Sequence, residues 1–192
     1  MTNTVKGTQT EKNLMAAFAG ESQARNRYTY FSGVAKKAGF EQIAEIFLET
    51  AENEKEHAKR FFSYLEGGEC EITAAFPAGV IADTAANLEA AAAGEKMEWT
   101  AIYKSASETA AREGFPEIAT LFKEISEVEE RHERRYRKLL ANVREGKVFK
   151  KDTVVAWKCR NCGYVHEGKD APPNCPACKH PQAYYEVLGE NY

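Results

Sequence analysis

Residues 49–61 read ETAENEKEHAKRF, and within them Glu54 and His57 stand three apart. On a helix that spacing makes the two side chains neighbours on one face. A lone pair of this kind is ordinarily a solvated ion pair worth well under about 1 kcal/mol. Residues 124–136, EISEVEERHERRY, repeat the spacing with Glu129 and His132, and the repetition governs everything that follows.

Displacing the chain by 75 positions sets Gly39, Phe40, Ile43, Phe47, Glu54 and His57 on Gly114, Phe115, Ile118, Phe122, Glu129 and His132. In the other helix of each pair FAGESQARNRY (18–28) answers AAGEKMEWTAIY (92–103), with Glu21 against Glu95. The chain is therefore an internal duplication of a helix pair. Apolar residues recur at helical spacing in four segments, running Leu14 to Ala35, Ile43 to Leu65, Leu88 to Ala106 and Phe115 to Leu139. Each stripe is apolar except at its centre, where the acids and histidines fall.

Between the second and third segments lies GGECEITAAFPAGVIAD (67–83), broken by Pro77 and Gly79 and too long for a hairpin between adjacent helices. It is expected to cross over, as in a ferritin-like four-helix bundle. Composition shifts near Gly146. Before it the chain has only Pro77 and Pro116; after it come Pro172, Pro173, Pro176, Pro181 and four paired cysteines. The expected domains are a helical bundle at 1–147 and a small metal-knuckle domain at 148–192.

The four stripes bring Glu21, Glu54, Glu95, Glu98, Glu129, His57 and His132 into the bundle interior. Unpaired, five buried carboxylates cost several kcal/mol each, more than a marginally stable domain can supply. Arg25 and Arg27 are near Glu21 in sequence, but no Lys or Arg lies on the stripes, so metal is the simplest compensating charge. One Glu from each of two helices and Glu-x-x-His from each of the other two is the donor pattern of a carboxylate di-iron or di-manganese site. Glu98, one turn past Glu95, is an acid that pattern does not require. Tyr28 and Tyr103 lie about two turns beyond Glu21 and Glu95, where a hydroxyl can bond a ligand carboxylate; the plainer reading is that they are core.

WKCRNCGYVHEGKDAPPNCPACKHP (157–181) places Cys159, Cys162, Cys175 and Cys178 as two C-x-x-C knuckles twelve residues apart. Four thiolates so spaced make a tetrahedral S4 site, and spacing alone divides evenly between structural zinc and iron. CGY after the first knuckle and CPAC at the second are similar to rubredoxin and favour a mononuclear iron. Cys70 reads as an ordinary thiol, and His166 and His180 fall outside the bundle pattern.

Length and composition suit one substantial domain with a small one: 192 residues and a net charge of −3, with both signs interleaved. Nothing in that balance calls for nucleic acid or a lipid surface. The start MTNTVKGTQTEKN has no apolar core of a signal peptide, and no run approaches the roughly eighteen apolar residues of a membrane span. The expected location is cytoplasmic, where paired cysteines read as metal ligands before disulfides.

With both pieces in one chain, the sequence resembles the rubrerythrin family from GTQTEKNL to its C-terminus. The resemblance implies a non-haem di-iron peroxidase that reduces hydrogen peroxide to water in defence against oxidative stress. It implies di-iron ligands Glu21, Glu54, Glu95, Glu98, Glu129 and His132, with His57 taking the place of Glu98 at one iron on reduction. Three iron ions per chain are expected, two in the bundle and one on the four cysteines. No nucleotide-binding fingerprint is present, so electrons would come ultimately from NAD(P)H through a separate reductase or a small rubredoxin-type carrier. His132 lies 14 residues before Gly146, roughly 20 Å of helix, so transfer within one chain looks strained and a head-to-tail homodimer is expected. Three other readings share these residues: a ferroxidase or iron-storage protein, an oxidase that prefers dioxygen, and a non-catalytic zinc scaffold.

Overall fold

The computed structural model describes residues 4–190; the first three and last two residues of the expected domains lie outside the described residues. Helix α1 spans Gln9–Lys37 and α2 spans Glu41–Phe62. After the crossover come α3 (Thr84–Met97), a π turn (Glu98–Ile102), α4 (Tyr103–Arg112) and α5 (Pro116–Arg144). A three-stranded antiparallel sheet follows, with β1 (Lys150–Cys159) between β2 (Val165–Asp170) and β3 (Tyr185–Val187). The fold is mainly helical, a ferritin-like bundle followed by a small rubredoxin-like knuckle region.

Local chemistry sets the helix ends. Thr8 accepts a hydrogen bond from the Glu11 amide and Asp83 accepts one from Ala86, each satisfying an amide that the first helical turn leaves open. Pro116 begins α5, where its missing N–H costs nothing. The two helix pairs turn on the same device: Gly39 and Gly114 adopt φ of 82° and 85°, a left-handed conformation open to glycine. The following amides of Phe40 and Phe115 then bond back to Ala35 and Ala110.

The third segment departs from the expected continuous α-helix, because residues 98–102 widen into a π turn. The crossover between α2 and α3 has no regular secondary structure and leaves Phe76, Val80 and Ile81 exposed.

The bundle core divides in two. Tyr28, Phe31, Phe47, Leu88, Tyr136 and Leu140 anchor one apolar cluster; Leu14, Phe61, Tyr103, Phe115 and Phe122 anchor the other. At roughly 1.5–3 kcal/mol for each large side chain, these clusters supply the stability that a buried polar layer would otherwise deplete. That layer contains Glu21, Glu54, Glu95, Glu129 and His132, all at 5% exposure or less. The knuckle region has its own core of Trp157, Cys159, Ala171, Cys175 and Tyr185. It packs on the α1–α2 turn, where Phe149 stacks on Phe40 with ring centres 6.0 Å apart.

Candidate metal centres

The two Glu-x-x-His units lie on α2 and α5, and their helices turn them toward each other. His57 Nδ1 stands 2.9 Å from Glu54 Oε2 and 2.9 Å from Glu129 Oε1. His132 Nδ1 stands 2.8 Å from Glu129 Oε2 and 3.3 Å from Glu54 Oε1. Two sets of donors result, Glu21, Glu54, His57 and Glu129 in one and Glu54, Glu95, Glu129 and His132 in the other, each with its ligand atoms within 4.8 Å of one another. Glu54 and Glu129 belong to both sets, the position of carboxylates that bridge two ions. Glu21 from α1 and Glu95 from α3 each serve one.

Glu98 belongs to neither set, and His57 completes the first with Glu21, Glu54 and Glu129. Glu98 instead lines a cavity of about 140 Å³ with Gly20, Arg27, Phe76, Met97 and Tyr103. The π turn accounts for the extra acid. Glu21 and Tyr28 are seven residues apart on α1, two regular turns, whereas Glu95 and Tyr103 are eight apart. A π turn absorbs one inserted residue. Both tyrosines consequently reach the site: Tyr103 donates to Glu21 Oε1 at 2.6 Å, and Tyr28 donates to Glu95 Oε1 at 2.5 Å. Each clamps the carboxylate of the opposite helix pair, fixing one oxygen and leaving the other for a cation.

The donor chemistry fits a pair of ions. Both oxygens of Glu54 and of Glu129, one oxygen each of Glu21 and Glu95, and Nδ1 of both histidines are buried without a hydrogen bond. The nitrogens come within contact distance of the oxygens yet are not aligned to bond them, an arrangement that suits donors converging on shared cations. As protein groups alone, the acids resist ionisation. Burial, then the charges of Glu129 and Glu54, pushes Glu21 well above the usual carboxylate range. Burial and Glu54 push Glu95 up to about 8. Burial and Glu95 raise Glu98 well above its ordinary value, with Arg27 opposing. Burial works against charged His57, but close contacts with Glu129 and Glu54 lift it to about 9. For Glu129 the balance reverses: burial is outweighed by contacts with His132 and His57, which hold it down at about 2. Two divalent cations would replace these protons with a charge that every acid can share.

The second centre is built from two knuckles. Gly163 and Lys179 follow their second cysteines with φ of 80° and 64°, turning each loop back over its sulfurs. Cys159 Sγ lies 3.7 Å from Cys178 Sγ, and Cys162 Sγ lies 3.6 Å from Cys175 Sγ. A tetrahedron with metal–sulfur bonds of about 2.3 Å has edges of about 3.75 Å, so the four sulfurs are already at ligand spacing. Backbone amides of Tyr164, Cys178, Ala177 and His180 reach the sulfurs of Cys162, Cys175 and Cys178. The amide of His180 is the largest influence on Cys178 and holds its thiol down at about 6, a thiolate ready for metal. His166 pairs across the sheet with Trp157, and His180 rests edge-on against Tyr184. Cys70 is in the crossover, apart from both centres. Together the donor sets fit one di-iron centre and one mononuclear iron.

Two residues near the bundle site had no role there in the sequence pattern, although Tyr136 lies on the fourth apolar stripe. Tyr136 is fully buried beside Tyr28, with ring centres 5.5 Å apart, and the duplication answers it with Phe61. Glu133, next to His132, is 7% exposed and accepts from Trp99 at 2.6 Å. A residue-by-residue comparison of the two repeats exposes the first, because the repeats differ there. The second depends on a contact between helices 34 residues apart and leaves no local pattern.

The sequence pattern of the family described as "Rubrerythrin" matches residues 12–140, and that described as "Rubrerythrin, rubredoxin-like domain" matches 157–186. A protein named rubrerythrin from Porphyromonas gingivalis is 62% identical over 192 residues, covering 100% of this chain and 96% of its own. Another from Nitratidesulfovibrio vulgaris is 58% identical over 188 residues, covering 98% of each. Among solved structures, the fully reduced, all-ferrous state of nigerythrin superposes with a TM-score of 0.63 at 29% identity, covering 97% of this chain and 92% of that one.

Proposed function

The chain belongs to the rubrerythrin family, and from that membership and the donor geometry we propose that it is a peroxidase reducing hydrogen peroxide to water. The observation that carries the reading is the pair of donor sets sharing Glu54 and Glu129, joined in one chain to a four-sulfur centre. The first would hold two ions able to supply two electrons, and the second suits one-electron delivery.

Glu21, Glu54, His57, Glu95, Glu98, Glu129 and His132 would hold the two irons of the bundle, with Glu98 and His57 alternating at one of them. Cys159, Cys162, Cys175 and Cys178 would hold the third. When bound, the iron pair supplies the two electrons that, with two protons, convert hydrogen peroxide into two waters. Tyr28 and Tyr103 keep Glu95 and Glu21 oriented through that cycle, so these two donors need not reorganise. Glu98, at the edge of the cavity with Arg27 and Met97, is the acid placed to pass protons between cavity and donors. The two apolar clusters exclude bulk water from either side.

Electrons would reach the four-sulfur centre from a separate donor protein, ultimately from NAD(P)H, in the reducing cytoplasm where thiolates persist. The knuckle region rests on the α1–α2 turn, and Glu54 is 14 residues along α2 from Phe40, roughly 20 Å away. That separation favours a head-to-tail homodimer in which one copy's sulfur centre serves the other's iron pair. An active monomer in sedimentation would oppose it.

Anaerobic stopped-flow tests the main reading: reduced, iron-loaded protein is mixed with hydrogen peroxide or with dioxygen, and return of the visible four-sulfur colour is followed. Fast recolouring by peroxide and slow recolouring by dioxygen is expected. The reverse order would make the protein an oxidase, iron uptake far beyond three per chain a ferroxidase, and a colourless protein a zinc scaffold.

A further inference from the structure

A π turn is less favourable than the α-helix it interrupts, so something must keep the inserted residue where it is. Without a restraint the bulge can migrate along the helix. Each one-residue slip would rotate the intervening side chains by roughly 100° and present Met97 or Trp99 where Glu98 stands.

The restraint comes from α5. Trp99 Nε1 donates to Glu133 Oε2 at 2.6 Å, and the other oxygen of Glu133 accepts from Arg137 Nε at 2.6 Å. Ser126 Oγ donates to the Trp99 carbonyl at 3.2 Å, so the same residue is held by side chain and backbone. Within the turn, Thr100 Oγ1 donates to the Lys96 carbonyl at 2.5 Å. Trp99 directly follows Glu98, and Glu133 directly follows His132, so one hydrogen bond links the neighbours of two site residues.

We propose that Trp99, Glu133 and Ser126 form a clamp on the π turn that sets where Glu98 stands, making them positioning residues for its alternation with His57. The inference rests on the di-iron reading above. Arg137 braces the clamp by orienting Glu133. None of these four residues belongs to either donor set.

The test uses full-length protein loaded with ⁵⁷Fe. Trp99→Phe removes the N–H and keeps an aromatic ring; Glu133→Gln keeps an acceptor for Trp99. Mössbauer spectra of the ferric and ferrous states are recorded beside the rate of oxidation by peroxide. Trp99→Phe should load two irons in the bundle, change the ferric spectrum, leave the ferrous spectrum alone, and slow oxidation roughly tenfold, the usual scale for groups supporting a metal site. Glu133→Gln should restore wild-type behaviour relative to Glu133→Leu. In a Glu98→Ala background, Trp99→Phe should add nothing, because the clamp acts through Glu98.

Unchanged ferric spectra in Trp99→Phe, equal changes in both oxidation states, additive effects with Glu98→Ala, or failure to load iron would each overturn the clamp. If Glu98→Ala itself alters neither spectrum, the alternation fails, an outcome separate from the clamp's.

Discussion

Tyr103 donates to Glu21 at 2.6 Å across the bundle, and Tyr28 makes the equivalent bond to Glu95 at 2.5 Å. Each phenol leaves its carboxylate one free oxygen and a fixed direction. Tyr28→Phe or Tyr103→Phe deletes the donor and leaves a buried oxygen unpaired, a cost of about 1–3 kcal/mol. Iron competition titrations should show a weakening of roughly 10- to 100-fold for either variant, with the helical content intact. Wild-type affinity in both would assign the two tyrosines to packing alone.

Glu54 differs from Glu21 in serving both donor sets. Glu54→Ala should therefore abolish the bundle's iron pair instead of halving it, leaving the one iron on the four cysteines. Metal analysis with the visible spectrum separates these cases. Retention of a single bundle iron would mean that Glu54 does not bridge.

Removal of metal should make stability sensitive to alkali. Folding favours the neutral form of Glu95, whose carboxyl rises from 4.5 to about 8, so that contribution is full below pH 4.5 and lost as pH climbs toward 8. Folding favours charged His57, raised from 6.5 to about 9, so its contribution is full below 6.5 and lost as pH passes 9. Glu129, depressed to about 2, works in the opposite sense, contributing above 4.5 and fading as pH falls toward 2. Melting of chelated protein should consequently fall from pH 5 to pH 9, whereas iron-loaded protein should show a much flatter profile. Parallel profiles for the two forms would contradict the buried-charge account.

The two knuckles are alike in backbone but not in residue: Gly163 and Lys179 both take positive φ, and only glycine does so without strain. Gly163→Ala should destabilise the knuckle region by about 1 kcal/mol, and Lys179→Gly should stabilise it by up to about 1 kcal/mol. Denaturant unfolding followed through Trp157, buried in that core, reads both. A loss of stability in Lys179→Gly would show that its side chain contributes more than its backbone costs.

Much of this protein was legible in one dimension. Helical period placed the four long segments, because burial of a stripe repeats with the helix itself. The duplication paired Glu54 with Glu129 and His57 with His132, and charge balance made cations the simplest partners for the buried acids. The cysteine spacing announced a four-sulfur site through chain geometry alone.

Tertiary structure decided which of seven candidate donors face one another. It put His57 among the carboxylates and Glu98 beside a cavity, since side-chain direction depends on a π turn that the helical period does not encode. It turned Tyr28 and Tyr103 from plausible core residues into hydrogen-bond donors, and joined Trp99 to Glu133 across 34 residues. Periodicity reports which face of a helix is buried; only packing of one helix against another determines what that face meets.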